Sequence, residues 1–397
     1  MRIRSITVKG FKACQHLEFE PGCVNVLIGS NGSGKSTLLE AIGLLSAAMT
    51  DRVNNSTLME KGVRLSTNDL YKSNFPLADR RSPTMDFEIQ WEDDSIYLSD
   101  ALKYHAFLNA PNEDNAWRYH AESLYEGDIK IYGRSGASRA EEFVNPFVGG
   151  LMLKNDANIK RIRPSIEKFH KYGIYQPNTP TLRGTIADQY QAEPIGLCGG
   201  RLAEAIDDIL SVGNGEMFGS LLMEDVMELI DWAKQIRVTT PNKSNINASV
   251  STTRRVIEFS DRYMSAKKRF TAYDASEGAL YVLFLLSLAV HDKTPAVFSI
   301  DNFDQSMNPR LAKATTRIFC DLILNTDKTV FLTTHNPLVL DGLDIQNDDI
   351  RLFTMDRSKD GYAKIRRIQV DQSLIDEGQP LSRLWVNGRL GGVPELI

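Results

Sequence analysis

Residues Gly29-Ser30-Asn31-Gly32-Ser33-Gly34-Lys35-Ser36 carry the strongest chemical signal in the sequence. Their spacing fits a phosphate-binding loop, with glycine at the first and sixth positions followed by lysine and serine. Glycine lets the backbone curl until consecutive N–H groups point inward at anionic oxygens. The lysine can reach the terminal phosphates of a nucleoside triphosphate, and the hydroxyl beside it can hold Mg²⁺. Asn31, Gly32, Ser33, Gly34, Lys35, Ser36 and Thr37 are the expected phosphate contacts, with Ser36 also a metal ligand.

Three further segments complete the chemistry. Ala296-Val297-Phe298-Ser299-Ile300-Asp301 is an apolar run ending in an acid, which places Asp301 to support the metal beside the phosphate loop. Phe331-Leu332-Thr333-Thr334-His335 is a second apolar run, ending in a histidine. Ser276-Glu277-Gly278 opens an apolar helix pattern. A serine there is a good helix cap, and the helix start is also an anion-binding end. Each of these is common by itself. Their order after the phosphate loop makes them informative.

The flanking elements must position these groups. Val24 to Ile28 is a short β-branched run suited to a buried strand, and the loop feeds a helix over 35–48 with Leu38, Leu39, Ile42 and Leu45 on one face. From residue 255 onward, strand and helix patterns alternate. Strands are expected at Phe270–Tyr273, Ala296–Ile300 and Val330–Thr333, with helices at Glu277–His291 and Pro309–Leu324. Asn308 and Pro309 suit the cap and first turn of the last helix. Between these ends, Met85–Trp91 and Asp128–Tyr132 alternate like strands. Gly200–Leu210 and Met217–Ile236 read as helical, broken by Gly213-Asn214-Gly215. The alternation favours an α/β sheet. The expected organisation is an N-terminal lobe over 1–150, a mainly helical insertion over 151–250 and a C-terminal lobe over 251–397. No heptad run supports a long coiled-coil arm.

On these motifs the chain resembles ABC-type ATPases of the RecF/SMC/OLD-like group. The opening Ile6-Thr7-Val8-Lys9-Gly10-Phe11-Lys12 resembles the lead-in of those heads. Ser276-Glu277-Gly278 resembles their signature, Asp301-Asn302-Phe303-Asp304 through Asn308-Pro309-Arg310-Leu311 their Walker B and D-loop, and Thr334-His335-Asn336-Pro337 their switch loop. The tail from Leu381 to Pro394, with Asn387-Gly388-Arg389-Leu390-Gly391-Gly392, resembles that of small ATPases from bacterial anti-phage loci. The resemblance implies an α/β P-loop fold with a mixed sheet and ATP and Mg²⁺ as cofactors. It also implies a head-to-tail homodimer, open to higher oligomers, in which Ser276 and Gly278 of one copy face the nucleotide of the other. Lys12 joins the nucleotide contacts on the same ground. One departure matters. The residue after Asp301 is usually glutamate and here is Asn302, which can orient a water but cannot take its proton. Asp304 is a candidate substitute base, and otherwise slow hydrolysis or ATP-held sensing is expected. The catalytic candidates are Asn302, Asp304 and His335.

Composition narrows the class further. The chain is 42% hydrophobic and 24% charged, with a net charge of −5, so it is neither a disordered chain nor a basic coat for nucleic acid. Local basic clusters remain, at Lys160, Arg161, Arg163, Lys168 and Lys171 and at Lys267, Lys268 and Arg269. They read as solvated faces or as a track for a nucleic-acid backbone. Cys14, Cys23, Cys198 and Cys320 show no paired spacing and fit reduced cytoplasmic thiols. No apolar run reaches the roughly 18–20 residues of a membrane span. The stretch after Pro337 is short for the nuclease domain of OLD proteins. The expectation is an ATP-binding sensor or motor subunit of an anti-phage system with a separate nuclease or toxin effector. The alternative is a RecF-like, DNA-binding repair ATPase.

Overall fold

The computed structural model describes residues 1–49, 52–75, 84–110, 117–135, 145–151, 157–213, 215–264, 268–369 and 378–392. Asn214, Lys267, Val393 and Pro394 lie outside them.

Two six-stranded sheets enclose the phosphate-loop helix. The central sheet runs in the order Ala363–Ile368, Ile350–Arg357, Val24–Ile28, Thr329–Thr333, Val297–Ile300, Ile174–Tyr175. All neighbours pair parallel except the first two, which form an antiparallel hairpin edge. The second sheet is antiparallel, in the order Cys14–Phe19, Arg2–Phe11, Met85–Glu92, Leu102–Asn109, Arg118–Glu126, Ile129–Ser135. The architecture is mixed α/β, with a largely parallel sheet and an antiparallel one.

Period-two side-chain alternation divides the core. Val24, Val26, Ile28, Val330 and Leu332 face one apolar cluster, which includes the helices Glu277–Val290 and Pro309–Leu324. Leu27, Phe331, Phe353 and Met355 face the other, with the helix Lys35–Ala48 and the antiparallel sheet. That helix lies between two sheets, so it is buried nearly all round rather than on one face. Leu38, Leu39, Ile42 and Leu45 are all fully buried, each worth about 1.5–3 kcal/mol. The phosphate loop therefore springs from a rigid base.

The middle of the chain, expected as mainly helical over 151–250, is mixed, and one stretch departs most from its sequence pattern. Met217–Ile236 is not one helix. It holds a two-residue hairpin, the helix Met223–Leu229 and the start of the strand Ala233–Thr239. Gly219 turns the chain at φ +64°, where an added methyl would lie 2.4 Å from the Val290 Cβ, so no helix passes through it. The strand then pairs with Val256–Asp261 and onward to Arg269–Thr271 in a small antiparallel sheet. Ile174–Tyr175, from the same region, forms an edge of the central sheet.

Candidate functional site

The helix Lys35–Ala48 begins at Gly34, which sits in the left-handed region at φ 108° and offers no side-chain cap. Among the described residues the first-turn N–H groups thus have neither an intrahelical nor a capping side-chain partner, as an anion site requires. Ser33 Oγ, buried inside the loop, has no hydrogen-bond partner among the described residues. A phosphate oxygen fits that hydroxyl and those amides. Lys35 Nζ is folded back, donating to the Gly29 carbonyl at 2.7 Å and the Ser30 carbonyl at 3.0 Å. Burial pulls its pKa down to about 8, against the pull of nearby Asp301. An anion arriving here gains a cation already stripped of most of its water.

Asp301 is the hub. Its carboxylate accepts from Ser36 Oγ at 3.0 and 3.2 Å, from Thr333 Oγ1 at 2.5 Å and from Gln176 Nε2 at 3.0 Å. These side chains come from the ends of parallel strands and from the phosphate-loop helix. A serine hydroxyl, a carboxylate and an amide are hard oxygen donors that suit Mg²⁺. Among them Ser36 and Asp301 were expected from the sequence, whereas Thr333 and Gln176 were not. Gln176 follows the edge strand Ile174–Tyr175, and Tyr281 of the helix Glu277–Val290 donates to the next carbonyl, that of Pro177, at 2.7 Å.

The three catalytic candidates follow closely. Asn302 is exposed and left-handed at φ 59°, with its N–H on Thr333 Oγ1 at 2.9 Å. Asparagine tolerates that conformation better than glutamate does. Asp304 accepts from Thr334 Oγ1 at 2.6 Å. His335 follows Thr334, with its ring at the solvent boundary. Partial burial and then the Lys35 ammonium hold its pKa below the usual histidine value, against the pull of Asp304 and Asp301. The ring is thus neutral near pH 7, able to donate from one nitrogen and accept at the other.

Lys12 sits at φ 46° and donates to Glu40 at 2.7 Å, beneath the phosphate-loop helix. Arg64 takes the other oxygen of Glu40 at 2.6 Å. Glu40 is buried, so this pair of cations keeps its charge matched. Arg357 donates to the Gly32 carbonyl at 2.7 Å on the loop rim. Neither arginine was singled out by the sequence pattern. Asn31 and Gly32 are exposed at the loop tip, and Thr37 is half-buried on the helix.

Ser276 and Gly278 stand elsewhere. Ser276 caps its helix, accepting from the Ala279 N–H at 3.4 Å, and Glu277 accepts from Ser306 Oγ at 3.2 Å. Both Ser276 and Gly278 line a cavity of about 740 Å³ with Asn308, Arg310, Asp231 and Glu228, and none of residues 29–37 is among its described lining. The basic clusters are partly spent on carboxylates: Arg161 on Glu126, Lys168 on Asp93 and Arg269 on Glu258.

With this geometry in view, comparison with known proteins is decisive on family. Residues 24–341 match the family described as "AAA domain, putative AbiEii toxin, Type IV TA system". The chain belongs to this family. Within this AAA-domain protein, a segment of 75 residues is 37% identical to the DNA double-strand break repair Rad50 ATPase of Saccharolobus solfataricus, covering 19% of this chain and 9% of that protein. Another, of 65 residues, is 40% identical to the DNA replication and repair protein RecF of Bifidobacterium adolescentis, covering 16% of each. The AAA-domain protein thus spans less than a fifth of the length of these curated relatives. Its fold is similar to an SMC head bound to the C-winged helix domain of ScpA, with TM-score 0.59 and 13% identity over 94% of this chain and 100% of that one. It is also similar to a Pyrococcus furiosus SMC head with an extended coiled coil, bound to the C-terminal domain of ScpA. That match has TM-score 0.53 and 10% identity over 95% of this chain and 98% of that one. Its fold is that of ABC-type P-loop ATPase heads. No described helix is long and apolar enough to cross a membrane.

Proposed function

We propose that the protein binds ATP with Mg²⁺ on the phosphate loop, pairs head to tail with a second copy, and hydrolyses slowly while paired. Lys35 and the loop amides hold the phosphates, Ser36 and Asp301 hold the metal, and His335 reads the terminal phosphate. Mg²⁺, when bound, offsets charge on the phosphates. Ser276 and Gly278 act on the nucleotide of the partner copy. One observation supports this reading: the signature residues line a cavity whose described lining includes none of residues 29–37, which leaves the nucleotide of a second copy as what this helix start would meet. Asn302 leaves the attacking water oriented but without a strong base.

The biological reading is a cytoplasmic sensor or motor subunit of an anti-phage system, acting on a separate nuclease or toxin. The family description and the likeness to heads that carry a bound protein domain support it. Residues 1–150 and 251–397 are the ATPase lobes of this proposal, with 151–250 inserted between them. Expression of the whole native locus tests it: a second protein should co-purify with this chain in an ATP-dependent way. A chain that runs without a companion, with and without ATP, and confers its phenotype unaided would end the sensor reading. A DNA-repair role is the second reading, favoured by the Rad50 and RecF segments. Salt-sensitive DNA binding by the isolated protein would favour it.

A further inference from the structure

The tail that follows the switch region has a place at the nucleotide site. The helix Pro337–Leu340 begins directly after His335 and Asn336 and ends at Asp341. Both oxygens of Asp341 grip the start of the helix Leu381–Val386, accepting from Ser382 N at 2.9 Å and Ser382 Oγ at 2.7 Å. Leu384, Trp385 and Leu390 are buried in the same apolar cluster as Val339 and Leu340. The tail is therefore locked to the switch segment by packing as well as by two hydrogen bonds.

Gly388, at φ +73°, ends that helix, with its N–H on the Trp385 carbonyl and the Arg389 N–H on the Leu384 carbonyl. This left-handed termination turns the chain back toward the sheet. Arg366 then hooks the Leu390 carbonyl at 3.0 Å. The turn ends at Gly392, which is buried at φ +71°. A methyl group placed there would lie 3.1 Å from the Cα and 3.5 Å from the N of Gly29, the first residue of the phosphate loop. Gly29 is itself closely approached, since a methyl on it would lie 2.2 Å from the Met355 carbonyl oxygen.

We propose that Gly392 is a positioning residue of the nucleotide site. The tail turn sets the backbone of Gly29 and, through Ser382 and Asp341, ties the phosphate loop to the segment carrying His335. A change at the terminal phosphate is then felt at both ends of one short, bonded path. Double glycine suits the place because both Gly391 and Gly392 are left-handed and closely approached: a methyl on Gly391 would lie 3.0 Å from Arg366 Nη2. This inference rests on residues 29–37 being the ATP site.

Two alanine substitutions isolate the contact from the backbone strain. Gly388 and Gly392 have nearly the same φ, but a methyl on exposed Gly388 meets nothing within 4 Å. Both Gly388→Ala and Gly392→Ala should lower the melting temperature through left-handed strain. Gly392→Ala in addition should weaken ATP binding by roughly tenfold or more, as small misplacements of a positioned site do. Gly388→Ala should leave the affinity unchanged. In calorimetry with ATP and ADP, Asp341→Ala should lower the preference for ATP over ADP, an effect that a merely structural tail would not produce. Equal ATP affinity in Gly388→Ala and Gly392→Ala overturns the proposal. Should Gly392→Ala fail to fold, Arg366→Ala unhooks the turn from outside, and unchanged ATP affinity there overturns it equally. Lys35→Ala run alongside separates the two readings: if it still binds ATP normally, the ATP site itself has been misplaced.

Discussion

Asn302→Glu exchanges an amide for the carboxylate that the motif usually carries, and the structure sets both the gain and the cost. The cost is conformational. Position 302 sits at φ 59°, where asparagine is tolerated and glutamate pays about 1 kcal/mol. The N–H bond to Thr333 Oγ1 keeps the backbone there, so the strain is not relieved by rotation. The variant should therefore melt roughly 2 °C lower. The gain is chemical, because general-base catalysis is worth about 10²–10⁴-fold. Even if the whole strain of about 1 kcal/mol were charged against the transition state, a factor of about 5, the net gain stays near 20-fold or above. Phosphate release in a single turnover, at saturating ATP and Mg²⁺, measures it. A folded, ATP-binding Asn302→Glu protein that turns over at the wild-type rate refutes the reasoning. If Asp304→Ala then abolishes hydrolysis, Asp304, held by Thr334, is the working base.

Lys35 ties ATP affinity to pH. Its pKa in the free protein is held near 8 by burial, and bound phosphates favour the charged form, so binding takes up a proton. ATP affinity measured by calorimetry should be steady below pH 7 and fall about tenfold by pH 9. A flat profile to pH 9 contradicts the role of Lys35. Gln176→Ala removes one of the three side-chain donors to Asp301 among the described residues and should weaken Mg²⁺-dependent ATP binding by about 10-fold while sparing the fold. Unchanged magnesium dependence removes Gln176 from the site.

The candidate site was legible in the sequence where its residues are local. The loop glycines, Lys35 and Ser36 are consecutive, and Asn308-Pro309 announces its helix at the residue where it starts. Asp301 and His335 could be singled out because each ends an apolar run and parallel strands place such ends side by side. Gln176 was not legible, because its strand is two residues long and acquires meaning only by pairing with Ser299 and Ile300. A glutamine after Gly173-Ile174-Tyr175 and before Pro177 was the available hint. Met217–Ile236 misled because apolar residues at helical spacing also suit a hairpin, a short helix and a strand in succession. The left-handed glycines at 215 and 219 and the run Ile236-Arg237-Val238-Thr239 were the contrary signals. The tail motif was visible as a motif, but its seat on Gly29 depends on contacts some 360 residues apart, which no periodicity encodes.

Each ATP site is proposed to be shared between two copies. Gly278→Asp places a carboxylate on the signature helix, where even a methyl would lie 3.1 Å from the Ser306 carbonyl. It should leave ATP binding by one copy intact while preventing ATP-driven pairing. Lys35→Ala should remove nucleotide from its own loop while leaving its signature helix sound. Mixing the two inactive variants, and measuring ATPase activity against the mixing ratio, tests the sharing directly. Activity should return in the mixed dimer, with one sound interface, and peak near equal amounts. Mixtures that stay inactive at every ratio, although each variant is folded, would contradict a site built from two copies.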